Sequence, residues 1–432
     1  ILEDSRVLPF AGIYKTYIVP NSHEDPQVRL RQLADAVKLV YASVFYESPV
    51  KYAKNADIRI EEEKMAVLIQ ELVGDRFGDL YYPVISGVAQ SYNYYPYYPM
   101  LPEEGTISLA LGFGKVIVDG EQVYRYCPAH PKMNPMISSA TEYLKKSQRT
   151  FYALDLVESA AAQMQIDDNC NYRQLPISRA HKDGVLEYVG STYSADNDYI
   201  DDNIHLPGPK VATFAPILKY NRLPLTEIVK DFLRLGQQSF GAHVEIEFAV
   251  NLPKDPSKPK EFYFLQIRPM VAGKEAIQIE MEVGKELWCA SDRTIGNGVY
   301  QNIHDIIFVN PETFDLSQSM QIAAEIAELN RSLFQAGRRC ILIGFGRLGT
   351  TDRWLGIPLT WAQMSQAHVI VEVDRKDLHP EPSMGSHFFH NMTATNMGYF
   401  HIQYAKDNGS WLDWDWLLAQ PVIQRTKYAT LV

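Results

Sequence analysis

Two extended stretches carry the residues best suited to chemistry: HVEIEFAV, starting at His243, and FYFLQIRPM, starting at Phe262, separated by the linker NLPKDPSKPKE. Each stretch is rich in apolar, aromatic and β-branched residues, and the Pro- and Asp-containing linker is a turn signal, so together they predict a β-hairpin. Strand side chains alternate faces, which puts Glu245 and Glu247 on one face, and Gln266 and Arg268 on one face of the partner strand. In matching register the four converge. Two carboxylates and an amide oxygen make a hard, oxygen-rich cradle suited to Mg²⁺ under phosphates, and an adjacent guanidinium can grip a phosphate. The same spacing also fits a cross-strand ion pair on a solvated sheet face, worth roughly a few tenths of a kcal/mol.

The 432 residues are enough for two or three domains, with an ordinary 46% hydrophobic and 22% charged content. A net charge of -11 lacks the basic footprint of a nucleic-acid binder, so a phosphate-bearing ligand has to be held by local cations and metal. No apolar run reaches the roughly 18 residues that span a bilayer, and ILEDSRV at the start has no signal-peptide pattern, so a cytoplasmic protein without membrane attachment is expected. Cys127, Cys170, Cys289 and Cys340 are scattered without a C-x-x-C pair, which indicates neither zinc nor a disulfide framework. The chain begins without Met inside a patterned segment and reads as a trimmed fragment.

Several elements must position the hairpin. Asp25 as N-cap and Pro26 at the first helical position open an amphipathic helix with apolar residues at Leu30, Leu33, Ala34, Val37, Tyr41, Val44 and Phe45. MAVLIQELV, from Met65 to Val73, reads as a buried or half-buried strand, in which Gln70 either reaches a ligand or satisfies a neighbouring backbone group. Aromatic crowding from Tyr92 to Tyr98 suggests base stacking, although its prolines and acidic surroundings favour a packed surface loop. LALGFGKVIVDG, from Leu109, is a glycine turn at which Gly112 and Gly114 either bring backbone N–H groups close to an anion or simply join two strands. Apolar residues at Leu225, Ile228, Val229, Phe232 and Leu235 predict a helix leading into the hairpin.

The first part of the chain resembles the nucleotide-binding domain of phosphoenolpyruvate synthases and pyruvate phosphate dikinases. The resemblance rests on Ser5, Phe10, Ala11, Gly12, Tyr14 and Thr16, on Ile85 to Val88, on the Gly112–Gly114 turn, and most specifically on Glu245-Ile246-Glu247 followed by Leu265-Gln266-x-Arg268-Pro269. Many relatives carry aspartate where this chain has Glu245, a longer arm with the same charge. The resemblance implies an α+β fold, a partial ATP-grasp-like domain over 1–275 and a smaller α/β domain over 276–432. It further implies ATP and Mg²⁺ as cofactors, with Glu247 and Gln266 on the metal, Glu245 close by, Arg268 acting on the phosphates, and Gly112, Gly114 and Lys115 beside them. The family passes a phosphoryl group from ATP through a histidine to pyruvate, giving phosphoenolpyruvate. Its Arg-Ser-Ser segment, its Thr-Ser-His module and its phosphoenolpyruvate-binding barrel have no counterpart here, so the 432-residue chain by itself is expected to be inactive, an expectation that pyruvate-dependent turnover of ATP would refute. The readings from other classes are a degenerate nucleotide-sensing or regulatory module and a purely structural protein.

Beyond Gly273 the sequence is less specific. A helix with Ile322, Ile326, Leu329 and Leu333 on one face precedes CILIGFGRLG, whose G-x-G-x-x-G and the later Glu372 resemble a dinucleotide fingerprint. Gly356 and Pro358 interrupt the helix that such a site requires, favouring a tight turn that exposes Arg347, Asp352 and Arg353. His387 and His390 flank two phenylalanines and suit either a histidine's reactive roles or a hydrogen-bonded core. WLDWDWLL, from Trp411, fits burial of three tryptophans against a neighbour, another subunit included.

Overall fold

The computed structural model describes residues 11–55, 59–133, 139–157, 171–253, 257–270, 287–296, 299–383, 397–404 and 409–432, together with Phe388, Asn391, Met392 and Thr395. Ser5, Phe10, His387 and His390, which the sequence reading singled out, lie outside these residues. Helices and several sheets are mixed in an α+β fold. The chain forms two compact units, one of residues 14–43 and 65–272, the other of 1–13, 44–64 and 273–432.

The first unit is built around a five-stranded antiparallel sheet. Its strands are β1 (Ile85–Gln90), β2 (Thr106–Ala110), β3 (Tyr124–Tyr126), β4 (Val244–Asn251) and β5 (Glu261–Pro269), in the spatial order β5-β4-β1-β2-β3. Alternation sends Ile85, Ala89, Ile107, Leu109, Tyr126, Val244, Ile246 and Phe248 to one face, where they form the core. Helix α1 (Pro26–Ser43) starts as expected, with the Gln27 N–H donating to the Asp25 carboxylate at 2.8 Å. Its apolar stripe is not buried by the described residues, for Leu30, Leu33 and Tyr41 are exposed. Helix α2 (Leu225–Phe240) buries Leu225, Val229 and Leu233 against the core, whereas Leu235 faces solvent. It approaches the sheet closely because Gly236 has no side chain: a Cβ there would lie 2.6 Å from Ile267 and 2.9 Å from Val244.

Gly87 is a second position that packing reserves for glycine. Phe248 sits opposite it in register, and a Cβ on Gly87 would fall 2.1 Å from the Phe248 ring, itself stacked on Phe262 at 5.2 Å. Gly87→Ala is therefore expected to cost about 2 kcal/mol through overpacking, measured by urea unfolding. A cost below the error of the measurement would show that the ring moves freely.

The expected strand at Met65–Val73 does not form. The segment joins no ladder, and Leu68 and Ile69 are 79% and 61% exposed. Its apolar content resembles a buried strand, yet no described sheet edge takes up its backbone.

The second unit holds a seven-stranded sheet whose centre is parallel: β6 (Asp305–Val309), β7 (Cys340–Phe345), β8 (Ala367–Val373) and β9 (Gly398–Ile402). β10 (Ala429–Leu431) lies antiparallel beside β6. Helix α3 (Ser319–Ala336) crosses from β6 to β7, burying Ile322, Ile326, Leu329 and Leu333 and ending at Gly337 in the left-handed conformation. No helix among the described residues is long and apolar enough to cross a membrane.

The G-x-G-x-x-G stretch holds no dinucleotide loop. Gly346 and Gly349 have positive φ, and the chain continues into the two-residue strand Arg347–Leu348 paired with Gly356–Ile357 instead of a helix. Glu372 is 1% exposed and its carboxylate is spent within the fold. It accepts from the Leu348 N–H at 2.8 Å, the Ser383 N–H at 3.2 Å, the Ser383 hydroxyl at 2.6 Å and the Tyr399 hydroxyl at 2.7 Å. Arg347, expected to be exposed, is buried, with Nε donating to the Glu381 carbonyl at 2.7 Å. Two of the late tryptophans find rings within this unit: Trp414 stacks on Phe345 at 5.5 Å and Trp416 on Trp288 at 5.0 Å, while Asp413 caps their short helix.

Candidate functional site

The hairpin forms with the register that brings the four polar residues together. Glu245 lies opposite Arg268 and Glu247 opposite Gln266, all on the face of the sheet away from the core. Strict alternation along β5 would put Phe262 and Phe264 on that same face, since their numbers share the parity of Gln266 and Arg268. A bulge resolves the conflict. The partner of Phe248 is Phe264, not Leu265, so pairing slips by one residue after Glu247 and Gln266. Phe262 and Phe264 thereby turn to the opposite face, where both stack on the partly buried Phe232 at 5.4 and 5.1 Å and Phe264 stays 40% exposed, while Gln266 and Arg268 keep the polar face.

Neighbouring strands extend that face. Gln90 is in register with Glu245, Val88 with Glu247, and Thr106 and Ser108 follow on β2. Arg125 on β3 donates to the Ser108 hydroxyl at 3.2 Å. Gln90 is the member of this cluster that the sequence reading missed: its Nε2 donates to a Glu245 carboxylate oxygen at 2.7 Å. The signal was present, because Ser86 and Gln90 alternate with Ile85, Gly87 and Ala89 in ISGVAQ.

Arg268 ties the cluster together. Its Nη2 donates to Gln266 Oε1 at 2.8 Å and lies 3.5 Å from Glu247 Oε1. The arginine is only 8% exposed, and its Nε and Nη1 are buried with no hydrogen-bond partner. Glu245 is 3% exposed, and its Oε1 is likewise buried without a partner. Orphaned buried polar groups cost about 1–3 kcal/mol each, more when charged, so several at one point mark a place built for something the protein itself does not supply. Burial pushes the Glu245 carboxyl up to about 7, with the Gln90 hydrogen bond opposing, the Glu247 charge adding to the rise, and the Arg268 charge opposing. Glu247 differs. A quarter of its side chain is exposed, which leaves a carboxylate at the mouth of the cluster.

This donor set fits Mg²⁺. The ion takes one or two protein oxygen ligands and completes its octahedron with phosphate oxygens and water. Glu247 supplies a reachable carboxylate, and Gln266 Oε1 retains a second lone pair beside the one that Arg268 uses. Among the described residues no group of three or more His, Cys, Asp or Glu could hold a metal ion.

The remaining candidates have partners of their own within the same unit. The glycine turn begins where β2 ends, and the Gly112 carbonyl accepts from the Ser86 hydroxyl at 2.7 Å. Gly112 has φ +79°, and a Cβ there would lie 2.8 Å from Phe151, so packing already requires glycine. Lys115 is paired with Asp119 at 2.8 Å one helical turn on. Gln70 approaches the hairpin from its outer edge, where Nε2 donates to the Leu265 carbonyl at 3.4 Å. That carbonyl belongs to the bulge residue, so Gln70 satisfies a neighbouring backbone group.

A sheet with one face buried and the other carrying acids, amides and an arginine at its hairpin defines a nucleotide-binding domain once it is set beside known families. The family model described as pyruvate phosphate dikinase, AMP/ATP-binding domain matches residues 1–286 of the 432, and the chain belongs to that family. No curated protein matches the chain.

Proposed function

We propose that the chain is the nucleotide-binding portion of a Mg-ATP-dependent phosphotransferase of the phosphoenolpyruvate synthase or pyruvate phosphate dikinase type. In this reading residues 1–275 form a partial ATP-grasp-like domain, 276–432 a smaller domain, and pyruvate or phosphoenolpyruvate is the partner substrate. The single observation that carries it is the convergence of Glu247, Gln266 and Arg268 on one face, with two Arg268 nitrogens buried and unspent. Phosphoryl transfer depends chiefly on positioning and charge stabilisation, which is what such a cluster provides.

Each residue then has a definite task. Glu247 and Gln266 hold Mg²⁺, which when bound neutralises phosphate charge. Arg268 directs its unspent N–H groups to phosphate oxygens, and the amide oxygen of Gln266 fixes its orientation. Glu245, whose carboxyl burial pushes up to about 7, presents less negative charge to an incoming polyphosphate near neutral pH than an ordinary carboxylate would. Gln90 holds it in place.

The test is calorimetric titration with Mg-ATP. Glu247→Gln keeps the side-chain shape and removes the metal-binding charge, and is expected to weaken binding about 100-fold, as expected for loss of a key charge at a close-range site. Unchanged affinity would overturn the assignment of Glu247.

A further inference from the structure

The carboxyl end of the second unit's parallel sheet carries polar side chains that the nucleotide site does not use. In open α/β sheets ligand crevices form outside that end of the strands. Register sets Glu372 on β8 opposite His401 on β9, and alternation puts Tyr399 and Asp374, the latter one residue past β8, on the same face. His401 is 3% exposed. Its Nε2 lies 3.1 Å from Asp374 Oδ1, and 9% of the Asp374 side chain reaches solvent, so the pair lies just beneath the surface. The backbone around it is fixed. The His401 N–H donates to the Arg293 carbonyl at 3.0 Å, the Asp374 N–H to the Ile402 carbonyl at 2.8 Å, and the Ser291 hydroxyl to the His401 carbonyl at 2.7 Å.

Only one side of the imidazole is used. A carboxylate accepts, so Nε2 carries a proton, and in the neutral ring Nδ1 presents a lone pair. That nitrogen is buried and has no hydrogen-bond partner. Charge is unbalanced at the same place. Glu372 takes its four hydrogen bonds from neutral groups, and the Asp374 carboxylate bonds to the imidazole. Among the described residues neither acid is paired with a lysine or arginine. Buried carboxylates are ordinarily paired with a cation or a metal, and no metal-binding group of three or more side chains occurs among the described residues. An unused acceptor near two uncompensated acids fits a compact cation that also donates a hydrogen bond.

We propose that this end of the second unit binds a small primary amine, whose ammonium group donates an N–H to His401 Nδ1 and brings a positive charge into the field of Asp374 and Glu372. Asp374 holds the ring so that Nδ1 stays the acceptor. The site is independent of the hairpin and gives the second unit a ligand of its own.

The experiment follows the 432-residue chain, labelled with ¹⁵N-histidine, by NMR and by thermal unfolding while ethylammonium or tetramethylammonium chloride is added at equal ionic strength. Ethylammonium is expected to shift the His401 Nδ1 resonance and to raise the unfolding midpoint. Tetramethylammonium, which has the charge without an N–H, is expected to do neither. His401→Gln keeps an N–H for Asp374, removes the Nδ1 lone pair and identifies the resonance by its disappearance. It is expected to weaken ethylammonium binding about tenfold, the size of one hydrogen bond to a charged group. Asp374→Asn removes one of the two charges and is expected to weaken it by a similar factor. Should His401→Gln not fold, the contrast between the two salts on the wild-type midpoint decides. A chain that responds to neither salt, or to both alike, overturns the proposal, as does a folded His401→Gln chain that binds ethylammonium as the wild type does.

Discussion

Glu245→Gln is expected to raise stability by about 3 kcal/mol at pH 8 while leaving it within about 1 kcal/mol of wild type at pH 5. Burial of the Glu245 carboxyl lifts it from an ordinary 4.5 to about 7, ahead of the opposing Gln90 hydrogen bond. Between those values the folded chain keeps a proton that the unfolded chain has released. Its contribution is therefore complete below about pH 4.5 and is lost as pH rises to 7. Glutamine has the shape of the protonated acid, still offers Gln90 an oxygen, and has no proton to lose. Urea unfolding of both chains in metal-free buffer at the two pH values measures the effect. A gain of the same size at both would show that the acid is not held protonated.

Glu372→Leu is expected to cost about 4 kcal/mol or more, because it strands four donors in the interior of the second unit. The backbone N–H of Leu348 and of Ser383 cannot turn away, whereas the Ser383 and Tyr399 hydroxyls can rotate to whatever acceptor remains. Glu372→Gln should recover part of the loss, since one oxygen survives, but its NH₂ would face donors. Denaturant midpoints of the two variants give the comparison. A leucine variant as stable as wild type would mean that this carboxylate does not organise the glycine turn.

What could be read from the chain beforehand follows from how local the physics is. The hairpin was legible because E-I-E and Q-I-R each set polar residues against Ile246 and Ile267, which face the core. The bulge at Leu265 was not. Nothing in FYFLQIR marks the slip, which lets Phe262 and Phe264 stack on Phe232 of a separate helix. Gly356 and Pro358 correctly argued against a dinucleotide helix after CILIGFGRLG, since both act on the backbone where they stand. Arg347 was misjudged for the opposite reason. Its acceptor is the carbonyl of Glu381, 34 residues away, and only the fold brings them together. MAVLIQELV failed as a strand because composition speaks for burial without supplying a sheet edge to pair with. Of the candidate site, Glu245, Glu247, Gln266 and Arg268 came from spacing, while alternation in ISGVAQ gave the face of Gln90 and only the register placed it beside Glu245.

The most direct measurement is a crystal structure of the chain with Mg²⁺ and a non-hydrolysable ATP analogue. The account predicts a metal about 2.0–2.1 Å from a Glu247 carboxylate oxygen and from Gln266 Oε1, with Arg268 Nε or Nη1 donating to a phosphate oxygen. An analogue whose phosphates lie away from this hairpin, with Arg268 still turned only to Gln266 and Glu247, would contradict it.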